Sequence, residues 1–228
     1  MRKSKTNMKE VRIAADSATL EGQLSIPEEA QGIVVFAHGS GSGRFSPRNQ
    51  FVAQGLLQGG LATLLLDLLT LEEERADART AQYRFDTGLL AKRVVGTTDW
   101  LLRQSETRDL RIGYFGSSTG AAAALIAAAE RPDFVSAVVS RGGRPDLAMN
   151  FLARVKAPTL LIVGGKDTPV ITFNKDALTR IRAEKKLEIV PDASHLFEEP
   201  GALEKVVRLA RNWFQQHLVS AGGYREVV

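Results

Sequence analysis

The stretch IGYFGSSTGAAAAL, residues 112–125, sets two serines and a threonine between glycines at the end of an apolar run. It reads as a buried strand, a tight turn and the start of an alanine-rich helix. Within it, Gly116-Ser117-Ser118-Thr119-Gly120 fits the pattern Gly-x-Ser-x-Gly, with Ser118 at the centre. A sharp strand-to-helix turn needs small residues on both sides, because the strained backbone brings neighbouring segments too close for larger side chains. Such a turn lifts the central hydroxyl above the sheet edge, and the helix behind it directs its positive dipole end there. A small-residue turn of purely structural purpose gives the same pentapeptide. Assigning Ser118 as a nucleophile therefore depends on what else the chain brings to that edge.

Outward from this turn, apolar runs at residues 32–39, 61–69, 110–116, 134–143, 158–167 and 186–193 read as buried strands. Helical patterns at 46–58, 86–104, 118–133, 144–155, 170–184 and 200–218 lie between and after them. Alternation of this kind is the mark of strand–helix–strand units and a mostly parallel sheet. Ser46 and Pro47 supply an N-cap and a first helical residue, and Arg131-Pro132 ends the alanine-rich helix. Residues 10–16 and 19–27 instead alternate polar and apolar, which predicts an antiparallel hairpin at the sheet edge. One α/β domain is expected over residues 9–218, with flexible tails at 1–8 and 219–228. The charged segment 70–85, TLEEERADARTAQYRF, is expected to be the longest loop, on the edge where open α/β sheets hold their ligand crevice. Only residues 141–157 separate the sixth strand from the seventh, too few for a large cap domain, so a shallow site is expected.

Composition narrows the chemistry. The chain has 228 residues, 44% hydrophobic and 25% charged, enough to bury a sizeable core. It has no cysteine, which excludes disulfides, thiolate metal sites and a cysteine nucleophile. With three histidines, His38, His195 and His217, a multi-imidazole metal centre is not expected. No metal or organic cofactor is anticipated. No apolar run approaches the roughly 18 residues that span a bilayer, and the basic start MRKSKTNMKE is followed by no apolar stretch of a secretory signal. The expectation is a cytoplasmic protein with no membrane partner. The net charge of +4 and 7% aromatic content give no basic, aromatic-interleaved stripe, so nucleic acid is not an expected partner either.

A serine hydroxyl needs a base to take its proton. His195, in VPDASHLFEEPG (residues 190–201), falls after the last strand and before the last helix, on the same edge as Ser118. The imidazole in turn needs a carboxylate to fix its tautomer, and Asp167, after the preceding strand, meets that need. Asp192 and Asp67 are rival acids, while Glu198 and Glu199 read as residues at the start of the last helix. An oxyanion calls for two fixed N–H donors. The amide of Thr119 is one, and the amide of Ser40 in the glycine-rich segment 36–49 is the other. A phosphate-cradling reading of that segment lacks a following Gly-Lys-Ser/Thr. His38 is assigned to the shape of the loop and His217 to the final helix. Arg141 ends a strand on this edge, and Arg44, Arg48 and Arg84 lie in loops there. They are candidates for pairing a substrate carboxylate or for anchoring loops by local salt bridges.

These residues occur in the chain order Ser, Asp, His, each after its own strand, which is the order of α/β-hydrolases. The segments HGSGSGRFSPRN, LLDLLTLEEE, RFDTGLLAKRV, GYFGSSTGAAAAL, VVSRGGRPDLA, PTLLIVGGKDTPV and HLFEEPGAL together resemble the dienelactone-hydrolase-like family. They are most similar to a bacterial subgroup, some of whose members are joined to a phosphoribosyltransferase domain. No such portion is expected within these residues. The resemblance covers about residues 10–217 and implies an α/β-hydrolase fold: a mostly parallel eight-stranded sheet with helices on both faces. It also implies Ser118, Asp167 and His195 as a triad. Dienelactone hydrolases proper use cysteine as the nucleophile, where this sequence has Ser118.

The function implied is that of a serine hydrolase cleaving a small ester, thioester or lactone through an acyl-enzyme, with a small-molecule acyl substrate as its partner. Two other readings share the scaffold: an acyltransferase passing the acyl group to an alcohol or amine, and a receptor that binds without turnover. The final helix and the edge hairpin are the surfaces on offer for a homodimer.

Overall fold

The computed structural model describes residues 6–219. Of the tails expected at 1–8 and 219–228, residues 1–5 and 220–228 lie outside the described residues. Thr6, Asn7 and Met8 do not belong to a tail, because they begin the first strand.

That strand, β1 (Thr6–Ala15), pairs antiparallel with β2 (Ala18–Pro27) from Thr6 opposite Pro27 to Ala15 opposite Ala18. Strands β3 (Gly32–Ala37), β4 (Ala62–Leu66), β5 (Arg111–Ser117), β6 (Val135–Arg141), β7 (Thr159–Gly164) and β8 (Lys185–Val190) complete one eight-stranded sheet. Its order is β1-β2-β4-β3-β5-β6-β7-β8. β2 meets β4 antiparallel, and every pairing from β4 to β8 is parallel.

Helices α1 (Pro47–Gln58) and α6 (Ala202–Leu218) cover one face. On the other lie α3 (Thr87–Leu101) and α4 (Thr119–Glu130). With both faces covered, β3, β4 and β7 are buried at every position, which is why they appear as unbroken apolar runs rather than alternating ones. Successive residues of β3 serve opposite cores: Ile33 and Val35 pack with Leu64 and Tyr114, Val34 and Phe36 with Phe115 and Phe214. Each such side chain contributes roughly 1.5–3 kcal/mol on burial. Helix α4 is buried from Thr119 through Ala129, so only alanine-sized side chains fit along most of it. Helix α6 buries Val206, Ala210, Trp213 and Phe214 and turns Glu204, Arg208 and Asn212 outward.

Two segments differ from expectation. The anticipated loop at 70–85 contains helix α2 (Leu71–Thr80), opened by a reciprocal capping box. The Glu73 N–H donates to the Thr70 hydroxyl at 3.2 Å, and the Thr70 N–H donates to the Glu73 carboxylate at 2.8 Å. The anticipated helix at 144–155 is instead two 3-10 turns, Pro145–Ala148 and Leu152–Arg154. There Phe151 N–H donates to Ala148 O and Arg154 N–H to Phe151 O, both at 2.8 Å, which tightens the chain to three residues per turn. Ala148, Leu152 and Val155 are buried by these turns just as a helix would bury them. Helix α5 (Thr168–Arg180) follows β7.

Candidate active site

The turn between β5 and α4 is a strained elbow. Ser118 has φ 50° and ψ −121°, outside helix and strand alike. Small neighbours are obligatory: a Cβ on Gly120 would lie 2.2 Å from the Ala37 carbonyl oxygen, and one on Gly116 would lie 2.4 Å from Ala121 Cα. Backbone bonds hold the elbow, from Ser118 N–H to Arg141 O at 3.3 Å and from Arg144 N–H to Ser118 O at 3.1 Å. The Ser118 side chain makes no capping hydrogen bond to α4, so the helix leaves its hydroxyl available.

Asp167 follows β7 as the N-cap residue of α5, yet its carboxylate caps nothing there. It lies 2.6 Å from Nδ1 of His195, which reaches it from the loop between β8 and α6. That loop is tied back by Lys166 N–H to Ala193 O at 3.0 Å and by Ser194 N–H to the Glu199 carboxylate at 2.9 Å. The bond from Ser194, with the smaller effect of Glu199's own N–H, holds the Glu199 carboxyl below its ordinary range. A Cβ on Gly142 would stand 3.5 Å from the His195 ring. Gly142 directly follows Arg141, whose carbonyl accepts from Ser118, so serine and imidazole flank the same two residues of backbone.

The rival acids are placed elsewhere. Asp67 accepts from the Arg44 N–H at 2.7 Å and is paired with its guanidinium. Asp192 sits exposed in a turn at φ 59°. Glu198 pairs with Arg48 at 3.1 Å.

The glycine-rich loop after β3 comes directly onto the elbow, with the Cβ position of Gly39 3.1 Å from Ser118 Cβ. Ser40 N–H donates to the Thr119 hydroxyl at 3.1 Å. His38 braces this loop: its Nδ1 donates to Gly39 O and its Nε2 accepts from Leu68 N–H, each at 2.9 Å. That pattern requires the neutral Nδ1–H tautomer, and burial pushes the His38 pKa down accordingly. The His217 ring packs against Trp213 at a tilt of 59°, 4.6 Å between centroids, on the final helix. A groove of about 1230 Å³ reaches the site at Gly39 and Ser40 and runs between Arg44, Phe45 and the capped start of α2.

The arginines separate cleanly. Arg44 is matched by Asp67 and Glu10, and Arg84 by Asp77. Arg141 is buried, with 7% exposure, and pairs with no carboxylate among the described residues. Its Nε donates to Ser117 Oγ at 3.4 Å, and Ser117 donates to Asn49 Oδ1 at 3.4 Å. Burial, and then the nearby charge of Arg48, lower the Arg141 pKa to about 10. Sequence reasoning does not reach Ser117 and Asn49 as site residues, because no local pattern marks them. Among the described residues no group of three or more His, Asp or Glu could hold a metal ion, and no helix is long and apolar enough to cross a membrane.

The fold is that of the α/β-hydrolases. The chain superposes on Est1E from Butyrivibrio proteoclasticus with a TM-score of 0.77 at 15% identity, covering 91% of this chain and 98% of that one, a likeness of fold alone. The sequence profile of the Dienelactone hydrolase family matches residues 20–218, and the chain belongs to that family. It is similar to a dienelactone hydrolase from Anabaena variabilis, with a TM-score of 0.92 at 60% identity over 93% of this chain and 99% of that one. A Mycobacterium tuberculosis protein provisionally named a phosphoribosyl transferase is 54% identical over 213 residues, 93% of this chain and 47% of its own. The chain thus spans about half the length of the curated relatives it matches.

Proposed function

We propose that the protein is a serine hydrolase that cleaves a small ester, thioester or lactone through an acyl-enzyme. The observation that carries this reading is the Asp167–His195 pair at 2.6 Å, on the sheet edge where Ser118 is held at φ 50°. His195 takes the Ser118 proton as the hydroxyl oxygen attacks the carbonyl carbon. Asp167 fixes the imidazole with Nδ1–H toward itself and stabilises the imidazolium that forms. The amides of Thr119 and Ser40 hold the negative oxygen of the tetrahedral intermediate, the Ser40 N–H being shared with the Thr119 hydroxyl to which it donates. His195 then gives its proton to the leaving group, and water repeats the sequence on the acyl-enzyme.

Family membership supports hydrolysis, and the Anabaena relative's name, dienelactone hydrolase, supports an activated oxygen ester or lactone as the bond cleaved. The reaction as written needs no metal and no organic cofactor. Fluorophosphonate labelling followed by peptide mass spectrometry tests it. Labelling confined to Ser118 and abolished by Ser118→Ala is expected. A folded protein that takes up no label has no activated serine, and the reading of a receptor without turnover replaces this one.

A further inference from the structure

Strand β8 ends the sheet, and among the described residues no strand pairs with its outer side. Its inner side is fixed by two bonds at 2.8 Å: Thr159 N–H donates to Glu184 O, and Gly165 N–H donates to Val190 O. Backbone groups alternate in direction along a strand, so the even-numbered residues of β8 face β7. Lys185, Leu187 and Ile189 therefore turn their N–H and C=O groups outward, a bare template for another strand. The side chains divide as regularly. Leu187 shares a face with Leu161 and packs against the same core, and Ile189, 39% exposed, follows it on that face. Lys185 turns its ammonium back to the Ile181 carbonyl at 2.5 Å. The opposite face of the strand carries Lys186 and Glu188, side by side at 2.8 Å. The other surfaces open to a second copy are already spent within the chain. Helix α6 buries its apolar residues on its own sheet, and on β1 Glu10 and Arg12 are matched by Arg44 and Glu21.

We propose that the protein forms a two-fold dimer in which β8 pairs antiparallel with β8 of a second copy, centred on Leu187. In that register Leu187 meets its own counterpart, Lys185 meets Ile189, and Lys186 meets Glu188. The outward-facing residues 185, 187 and 189 then form the hydrogen-bonded pairs, each exchanging both of its N–H···O bonds. The Lys186–Glu188 pairs fall at the closely spaced positions without hydrogen bonds, where opposite charges across the strands are stabilising. Moving the centre one step, to Lys186 or to Glu188, sets like charges opposite each other. Strands β4 to β8 run parallel and carry the candidate site at their C-terminal ends, so the sites of two antiparallel copies open in opposite directions. The dimer does not rest on the serine-hydrolase reading.

Sedimentation equilibrium tests the pairing, and the wild type is expected at the mass of two chains. Lys186→Glu makes that face of the strand all acidic, and Glu188→Lys makes it all basic. Each variant alone is expected to dimerise at least about tenfold more weakly, because like charges then meet across the axis. Mixed together, the two are expected to recover a two-chain particle, which unfolded variants could not do. Ile189→Pro removes an outward N–H that β7 does not use, and is expected to be monomeric with the sheet intact. Disulfide trapping reads the register, since the chain has no cysteine of its own. Across the axis the Leu187 Cα atoms stand about 5.5 Å apart, within disulfide reach. Oxidised Leu187→Cys is therefore expected to link two chains. Ile189→Cys is not, because its copies lie about 13 Å apart along the strands. A monomeric wild type overturns the proposal. So does a dimer that survives both charge reversals and Ile189→Pro, which would place the contact on another surface. Variants that melt like the wild type but do not recombine on mixing overturn the charge pairing, and linkage through Ile189→Cys alone overturns the register.

Discussion

The backbone N–H of Ser40 and the side-chain hydroxyl of Thr119, 79 residues apart, are joined by a hydrogen bond of 3.1 Å. The bond fastens the glycine-rich loop after β3 to the first turn of α4. Because the hydroxyl accepts from Ser40, its own proton is free to point at an oxygen held between the two segments. In the proposed mechanism Thr119 then offers an N–H and an O–H to the same oxyanion. On this arrangement Thr119→Val lowers kcat by about tenfold to a hundredfold with little change in KM, while Thr119→Ser stays within about threefold. A rise in kcat for the valine variant means the opposite: the hydroxyl competes with substrate for the Ser40 donor.

The short contact between Asp167 and His195 makes a second expectation. Asp167→Asn preserves shape but replaces an acceptor-only group by one that also donates, so the imidazole is held in the wrong tautomer. A fall in kcat of about four orders of magnitude is expected, with Tm close to the wild type. A loss of less than tenfold passes the orienting role to another carboxylate.

Glycine substitutions sort themselves by what a Cβ would meet. In Gly120→Ala the new methyl would stand 2.2 Å and 2.3 Å from the carbonyl oxygens of Ala37 and His38, so β3 and the elbow must part. A destabilisation of about 1–3 kcal/mol or more is expected in urea melts, together with a loss of activity. Gly60, at φ 80° with nothing within 4 Å, is the control. Gly60→Ala is strained only in its backbone, costs about 1–2 kcal/mol, and is expected to spare activity.

His38 gives the fold a dependence on acid. Its ring is neutral in the folded protein, with its pKa pushed below the ordinary 6.5 by burial, while the Gly39 bond and the Asp67 charge offset part of that shift. Below pH 6.5 the unfolded chain therefore binds the proton more readily than the folded one. The stability that His38 contributes is complete above that pH and is lost as pH falls toward the folded value. Unfolding free energy measured from pH 7 to pH 5 is expected to fall more steeply in the wild type than in His38→Gln. Parallel slopes would show that the ring's protonation has no part in the acid response.

Much of this architecture is legible in the amino-acid order, because fully buried strands such as 32–37 and 159–164 admit almost nothing but apolar residues. Glycines mark Ser118, and places after successive strands mark His195 and Asp167. Helix α2 is harder to see because nine of its residues face water or are partly exposed, leaving no apolar stripe; its signal is the Thr70-x-x-Glu73 capping box. The segment 144–155 misleads for the converse reason, since Ala148, Leu152 and Val155 keep helical spacing while the chain makes 3-10 turns. What sequence does not distinguish is which arginine lacks a partner. Asp67 and Asp77 neutralise Arg44 and Arg84 through folding alone, and nothing in the residues around Arg141 announces that no acid comes to it.

Helix α4, buried along one unbroken run from Thr119 to Ala129, has a consequence for how this family member can change. Ser118 is mounted on a fixed post. The post has no wet side on which to accept a new residue, and no slack with which to tilt. Variation in what the protein accepts must therefore come from the loops around the serine, at residues 38–48 and 190–201, while the serine stays where it is. The same burial means that heat should not dislodge Ser118 ahead of the rest, because α4 packs against α3, β3, β5 and β6.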